Sequence, residues 1–200
     1  MKQKTIVIAV CAALICVGVG FGAIKLFGTG SGTASAVSSI HEGDSGQQPN
    51  SVYVTTDWQE DGVVDVTFNV NQADAGAVFA AVMNFSYSGK DLEYVSYEEG
   101  NYFDQAGSAI NKKKPVYLVS AKPVSSSTDD GSDEYRLAVG VSLFKGSPGM
   151  NGSGRLITLK FRAKHQTASQ IILTKKKLVG TDAKELTQIS WPGAVRITPA

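Results

Sequence analysis

From residue 51 onward, apolar positions recur every second residue. Nowhere in that stretch do they keep the three-to-four spacing of an amphipathic helix. SVYVTTDW and VVDVTFNV predict two strands around a Glu60-Asp61-Gly62 turn, the second with Val64, Val66, Phe68 and Val70 on one face and Asp65, Thr67 and Asn69 on the other. VFAAVMNFSY predicts a longer strand. Phe79, Ala81, Met83, Phe85 and Tyr87 share one face, opposite Val78, Ala80, Val82, Asn84 and Ser86. LEYVSYEE follows a Ser88-Gly89 turn, and PVYLVSA and YRLAVGVSLF flank the polar SSSTDDGSDE loop. GSGRLITLKFRAK sends Ile157, Leu159, Phe161 and Ala163 inward, with Thr158, Lys160, Arg162 and Lys164 outward. QIILTKKKLV and AVRIT complete a set of nine. Short half-buried strands with turn signals between them predict an all-β sandwich.

The first fifty residues follow other rules. Lys2 and Lys4 precede an apolar run from Thr5 to Ile24. At about 1.5 Å per residue, twenty residues span roughly 30 Å, the thickness of a bilayer core. Residues 1–27 are therefore expected to form a single-pass membrane anchor with a cytoplasmic N-terminus, because the positive charges lie before the run. A cleaved signal peptide is the rival reading, with Ala34-Ser35-Ala36 as its small-x-small site; the length of the run and its distance from that site favour the anchor. Residues 28–50 turn to Gly, Ser, Thr, Ala and Gln, a flexible linker. Both readings place residues 51–200, one domain, outside the cytoplasm, in a periplasm or at a cell surface.

Composition then removes several kinds of chemistry. Cys11 and Cys16 lie inside the apolar run, so the domain has no thiol nucleophile, disulfide or cysteine metal site. Lys and Arg number 19 against 18 for Asp and Glu, which provides no global field for nucleic acid. His165 is the domain's one histidine and is placed near a sheet rim. The loop carrying Asp129, Asp130, Asp133 and Glu134 could offer oxygens to calcium, but Leu137 stands where an EF-hand needs its last Glu, and a solvated hairpin tip is the better reading. No cofactor is expected. Lys112-Lys113-Lys114 and Lys175-Lys176-Lys177 read best as edge protection or solubility, with Lys175 and Lys177 on one strand face. An acidic partner or anionic lipid is the functional alternative for such clusters.

The order of motifs resembles a cohesin domain. AVFAAVMNFSYSGKDLEYVSYEEGNYF, then GSGRLITLKFRAK, then a strand leading into KKKLVGTDAKEL carry the resemblance. Tyr87 and Leu92 fit the family's hairpin, although Ser88-Gly89 replaces its Asp-Pro; Gly152, Gly154, Leu156, Ile157, Leu159 and Phe161 fit a later strand, and Val179-Gly180-Thr181-Asp182 a late polar hairpin. The resemblance implies a nine-stranded jelly-roll sandwich and a non-catalytic docking role toward a protein partner, dockerin-like or an envelope or secretion component. These matches are structural positions, so they say more about fold than about partner.

Candidate partner-binding residues are Val82 and Asn84 on the long strand, Leu143 on the sixth strand, and Tyr94 and Tyr97, whose exposure the pattern leaves open. The alternative function is carbohydrate binding to a surface polysaccharide. It would need Trp58, Trp191 and several Tyr on one exposed plane.

Overall fold

Nine strands form where the alternation places them. The structure, a computed structural model, describes residues 48–59, 61–73, 75–104, 114–123 and 133–198. The strands are β1 (Ser51–Trp58), β2 (Val63–Gln72), β3 (Val78–Ser88), β4 (Leu92–Glu99), β5 (Val116–Pro123), β6 (Glu134–Ser142), β7 (Gly152–Ala163), β8 (Ser169–Gly180) and β9 (Ala194–Ile197). They pair antiparallel in a four-stranded sheet, β1-β2-β7-β4, and a five-stranded sheet, β5-β6-β3-β8-β9. β-Branched and aromatic residues on one side of each strand drive the two sheets together.

The core lies between those faces. Val64, Val66, Phe68 and Val70 of β2 and Ile157, Leu159 and Phe161 of β7 come from one sheet; Ala81, Met83, Phe85 and Tyr87 of β3 and Leu137, Val139 and Val141 of β6 come from the other. Phe68 meets Phe85 across the gap with ring centroids 5.1 Å apart, and Tyr87 meets Phe161 edge-on at 5.2 Å. Each fully buried large side chain contributes about 1.5–3 kcal/mol through removal from water. Phe85 and Tyr87 are therefore sandwich filling.

Register shifts correct the simple alternation in four places, two of them at Thr174 of β8, which turns Ile172 to the same face as Lys175, and at Val95 of β4. The register shifts between Val78 and Ala80, so Val78 joins the core and Phe79, expected inside, is only partly buried against it. A second shift beside Phe68 and Asn69 leaves an extra residue on β7, and Leu156 is buried in addition to the alternating set. An extra residue in one strand reverses the side on which its neighbours fall.

Leu143 requires a correction. It was expected outward, yet it is 2% exposed within the core. Leu137, Val139 and Val141 all face inward, and Leu143 shares their parity; its amide donates to the Phe79 carbonyl at 3.0 Å, which holds it over the core just past the end of β6.

Gly89 makes the β3–β4 turn for a steric reason. A Cβ there would lie 2.2 Å from the Tyr135 ring, while its amide donates to the Asp133 carbonyl at 2.6 Å. The expected anchor at 1–27, the linker up to residue 47, Lys112-Lys113 and Asp129-Asp130 of the acidic loop lie outside the described residues. Among the described residues no helix is long and apolar enough to cross a membrane, and no group of three His, Cys, Asp or Glu could hold a metal ion.

Candidate docking face

The two outer surfaces of the sandwich differ in kind. On the five-stranded sheet, register aligns Leu118 of β5, Gly140 of β6, Val82 of β3 and Lys177 of β8 in one row. The next row holds Ser120, Ala138, Asn84 and Lys175, and the one beyond it Lys122, Arg136, Ser86, Ile172 and Ala194. Small residues in the middle strands keep this surface low, so Leu118 (38% exposed) and Ile172 (46% exposed) stand out on either side.

Two of the expected residues meet here. Val82 has the outward parity, but it is only 4% exposed and forms part of the floor; a carboxylate at that position would have little water around it. Asn84 sits beside it. The Asn84 backbone carbonyl accepts from the Thr174 hydroxyl at 3.2 Å. Its side-chain Oδ1 is closed off from solvent and, among the described residues, has no hydrogen-bond partner. A buried carbonyl oxygen without a donor costs about 1–3 kcal/mol.

Tyr94 and Tyr97 lie elsewhere, on β4 at the edge of the four-stranded sheet. Tyr94 is half-buried, edge-on to Phe161 at 5.8 Å, and burial raises its phenol to about 12. Tyr97 is 36% exposed and stacks on Tyr117 at 6.4 Å. The Tyr117 phenol is raised to about 12 chiefly by burial, and Tyr102 is fully buried, with its hydroxyl donating to Gln72 Oε1 at 2.9 Å. The five expected residues are thus not one site: Val82 and Asn84 share a face, Leu143 is core, and the two tyrosines flank the other sheet.

The outer face of the four-stranded sheet holds most of its charges in ion pairs, although Asp65 Oδ1 is, like Asn84 Oδ1, buried without a hydrogen-bond partner among the described residues. Lys160 Nζ lies 2.7 Å from Glu98 Oε1 and 3.6 Å from Asp65 Oδ2, and Arg162 is 3.6 Å from Glu93. The Lys160 hydrogen bond holds the Glu98 carboxyl below the usual range, and Glu98 in turn raises the Lys160 ammonium. Thr67 and Thr158 hydroxyls bond across the strands at 2.9 Å. Charges so paired offer a partner little, and the exposed apolar side chains of this sheet, Val95 and Tyr97, lie on its edge strand β4.

The aromatic plane that sugar stacking requires is not assembled among the described residues. Trp58 and Trp191 are half-buried against the core, and the Trp58 indole N–H donates to the Thr198 carbonyl at 3.1 Å. Tyr97 is the one aromatic among the exposed large apolar side chains. His165 is exposed in the turn after β7.

Leu118 and Ile172 were not singled out from the sequence, although a signal existed. Val116-Tyr117-Leu118-Val119 and Ile171-Ile172 are apolar on both parities, so one member of each must face outward.

Comparison with known proteins agrees with this architecture. No curated protein sequence matches the chain. Among solved structures, the chain is similar to a type II cohesin domain from the cellulosome of Acetivibrio cellulolyticus, at 11% identity and TM-score 0.54, covering 75% of this chain and 95% of that one. It is likewise similar to the second type II cohesin module of the ScaA scaffoldin of that organism, at 12% identity and TM-score 0.53, over 75% and 95% of the two chains. A third is the ScaC cohesin of Acetivibrio cellulolyticus solved in complex with the ScaB dockerin, at 11% identity and TM-score 0.53, over 75% and 99%. The cohesin domain family model matches residues 50–197. This chain belongs to the cohesin domain family.

Proposed function

We propose that this chain is a non-catalytic docking module, tethered outside the cytoplasm by its N-terminal segment, whose five-stranded sheet receives a protein partner on its outer face. The partner is a dockerin-like module or an envelope or secretion component. One observation carries the reading: Leu118 and Ile172 stand exposed on a face floored by Gly140, Ala138 and Val82, while the charged groups at the middle of the opposite face are held in ion pairs of their own. The solved ScaC cohesin is described in complex with a dockerin, which supports a protein as the partner class.

The physics of such a face suits docking. A paired antiparallel sheet holds its outward side chains in fixed relation, so little ordering entropy is spent when a partner arrives. Exposed aliphatic side chains supply the apolar contact. No step of this kind requires a reacting group, metal or cofactor.

Capture from native membranes with the full chain as bait tests the proposal. A discrete protein should be recovered by the wild type and reduced at least tenfold by Leu118→Glu combined with Ile172→Glu. Affinity electrophoresis of the full chain through polysaccharide gels separates the other function class: docking predicts no retardation. Retardation without protein capture would replace this reading with a sugar-binding one.

A further inference from the structure

The face proposed for docking is unevenly charged. Lys122, Arg136, Lys175, Lys177 and Arg196 all have its parity by strand register, against Glu134 on the face and Glu185 at its rim. Five positive charges thus meet two negative ones at these positions, with Asp133 beside Glu134 at the end of the sheet. Both carboxylates are already engaged: Glu185 pairs with Lys177, while Glu134 accepts from the Ser86 hydroxyl at 2.9 Å and lies 3.9 Å from Arg136. On the opposite face Asp57, Asp65, Glu93 and Glu98 stand with Arg155, Lys160 and Arg162, four against three, and all but Asp57 and Arg155 are in the ion pairs described above. Among the strand positions the excess of positive charge therefore lies on the outer face of the five-stranded sheet.

The placement of two lysines gives this excess meaning. Lys177 is the register partner of Val82 and Lys175 that of Asn84, so positive charge lies directly beside the floor of the face. Asp133 and Glu134 enter at the Ser88 end of the sheet. That end lies six residues along β3 from the Val82 row, roughly 20 Å at about 3.3 Å per residue. Salt at physiological strength screens exposed charges beyond about 8 Å, so this acidic end does not cancel the field at Lys177. Strand-edge protection, the plain explanation for lysine runs, accounts for part of this, because β9 pairs β8 only over Ser169–Ile172 and leaves the edge at Lys175–Lys177 without a β9 partner; it does not account for Arg136, on β6 between β3 and β5.

We infer that the partner is acidic: a protein segment with aliphatic side chains for Leu118 and Ile172 and Asp or Glu residues facing Lys175 and Lys177. This inference rests on the docking reading of the same face and adds the chemistry of what it receives. Opposite charges at the rim steer encounter and set the register of the bound segment, so the interaction is expected to weaken as salt rises.

Two phage-displayed peptide libraries test it. They share an apolar frame and differ only in whether the flanking positions draw on Asp and Glu or on Lys and Arg; both are panned against the full chain. Enrichment from the acidic library, with affinity falling roughly tenfold in the Lys175→Glu, Lys177→Glu double variant and falling with added salt, is the expected result. Enrichment confined to the basic library and abolished by Leu118→Glu would overturn the charge inference and leave the docking face standing. Binders insensitive to Leu118→Glu would overturn the face itself. No enrichment from the acidic library overturns the inference, as does binding to phosphatidylserine vesicles alone, which would make the lysines a lipid contact. Thermal melts of each variant confirm that a loss of binding is not a loss of fold.

Discussion

Gly100 and Tyr117 hold each other across the open side of the sandwich. The Gly100 amide donates to the Tyr117 phenol oxygen at 3.1 Å, and the phenol lies 3.1 Å from the Gly100 carbonyl and 3.3 Å from that of Leu156, either of which can accept its proton. A Cβ on Gly100 would lie 1.9 Å from the Arg155 carbonyl oxygen, so only glycine lets the chain pass so close to β7. Gly100→Ala is therefore expected to destabilise the domain by more than about 2 kcal/mol, through displacement of backbone. Tyr117→Phe, which deletes only the hydroxyl, should cost about 1–2 kcal/mol. Urea unfolding of the two variants checks both values; equal stability of Gly100→Ala and wild type would refute the close approach.

The inward and outward assignments of two leucines are separable by one kind of substitution. Leu143→Glu places a carboxylate in the core and should unfold the domain, at a cost above about 3 kcal/mol. Leu118→Glu, on the outer face, should change stability by less than about 1 kcal/mol. Circular dichroism melts give the comparison directly, and similar losses for the two would place Leu118 in the core as well.

Alkaline pH should loosen the fold before it denatures an ordinary surface. Burial raises the phenols of Tyr87, Tyr94 and Tyr117 to about 12, above the usual value of 10. In the unfolded chain they lose their protons near pH 10, while the folded chain keeps them until about pH 12. Between those limits the unfolded state binds fewer protons, so stability falls as pH rises. Urea midpoints should be lower at pH 11 than at pH 9, and Tyr94→Phe should flatten that slope. An unchanged slope in Tyr94→Phe would mean that its phenol titrates as in water.

Much of this architecture was legible in the residues. All nine strands follow from alternation, because a sheet with one face in a core and one in water repeats every two residues. Bulges were not legible: the extra residues beside Val78 and at Leu156 obey the register of the neighbouring strand, which a single strand's pattern does not contain. The core role of Tyr87 was readable from parity, whereas full burial of Tyr102 was not, since it follows β4 in an irregular turn. Leu143 was misplaced even though its parity matched Leu137, Val139 and Val141. The candidate face itself depends on which strands become neighbours, and that put Asn84 beside Lys175 and brought Ile172 to the same surface as Leu118.

The central claim is that one outer sheet face, and not the other, meets a protein partner. A photo-crosslinking amino acid placed at Leu118 of the full chain in the cells that produce it should join it to a discrete protein on irradiation. The same group at Thr67, on the outer face of the four-stranded sheet, should not. An adduct at Thr67 with none at Leu118 would contradict the account.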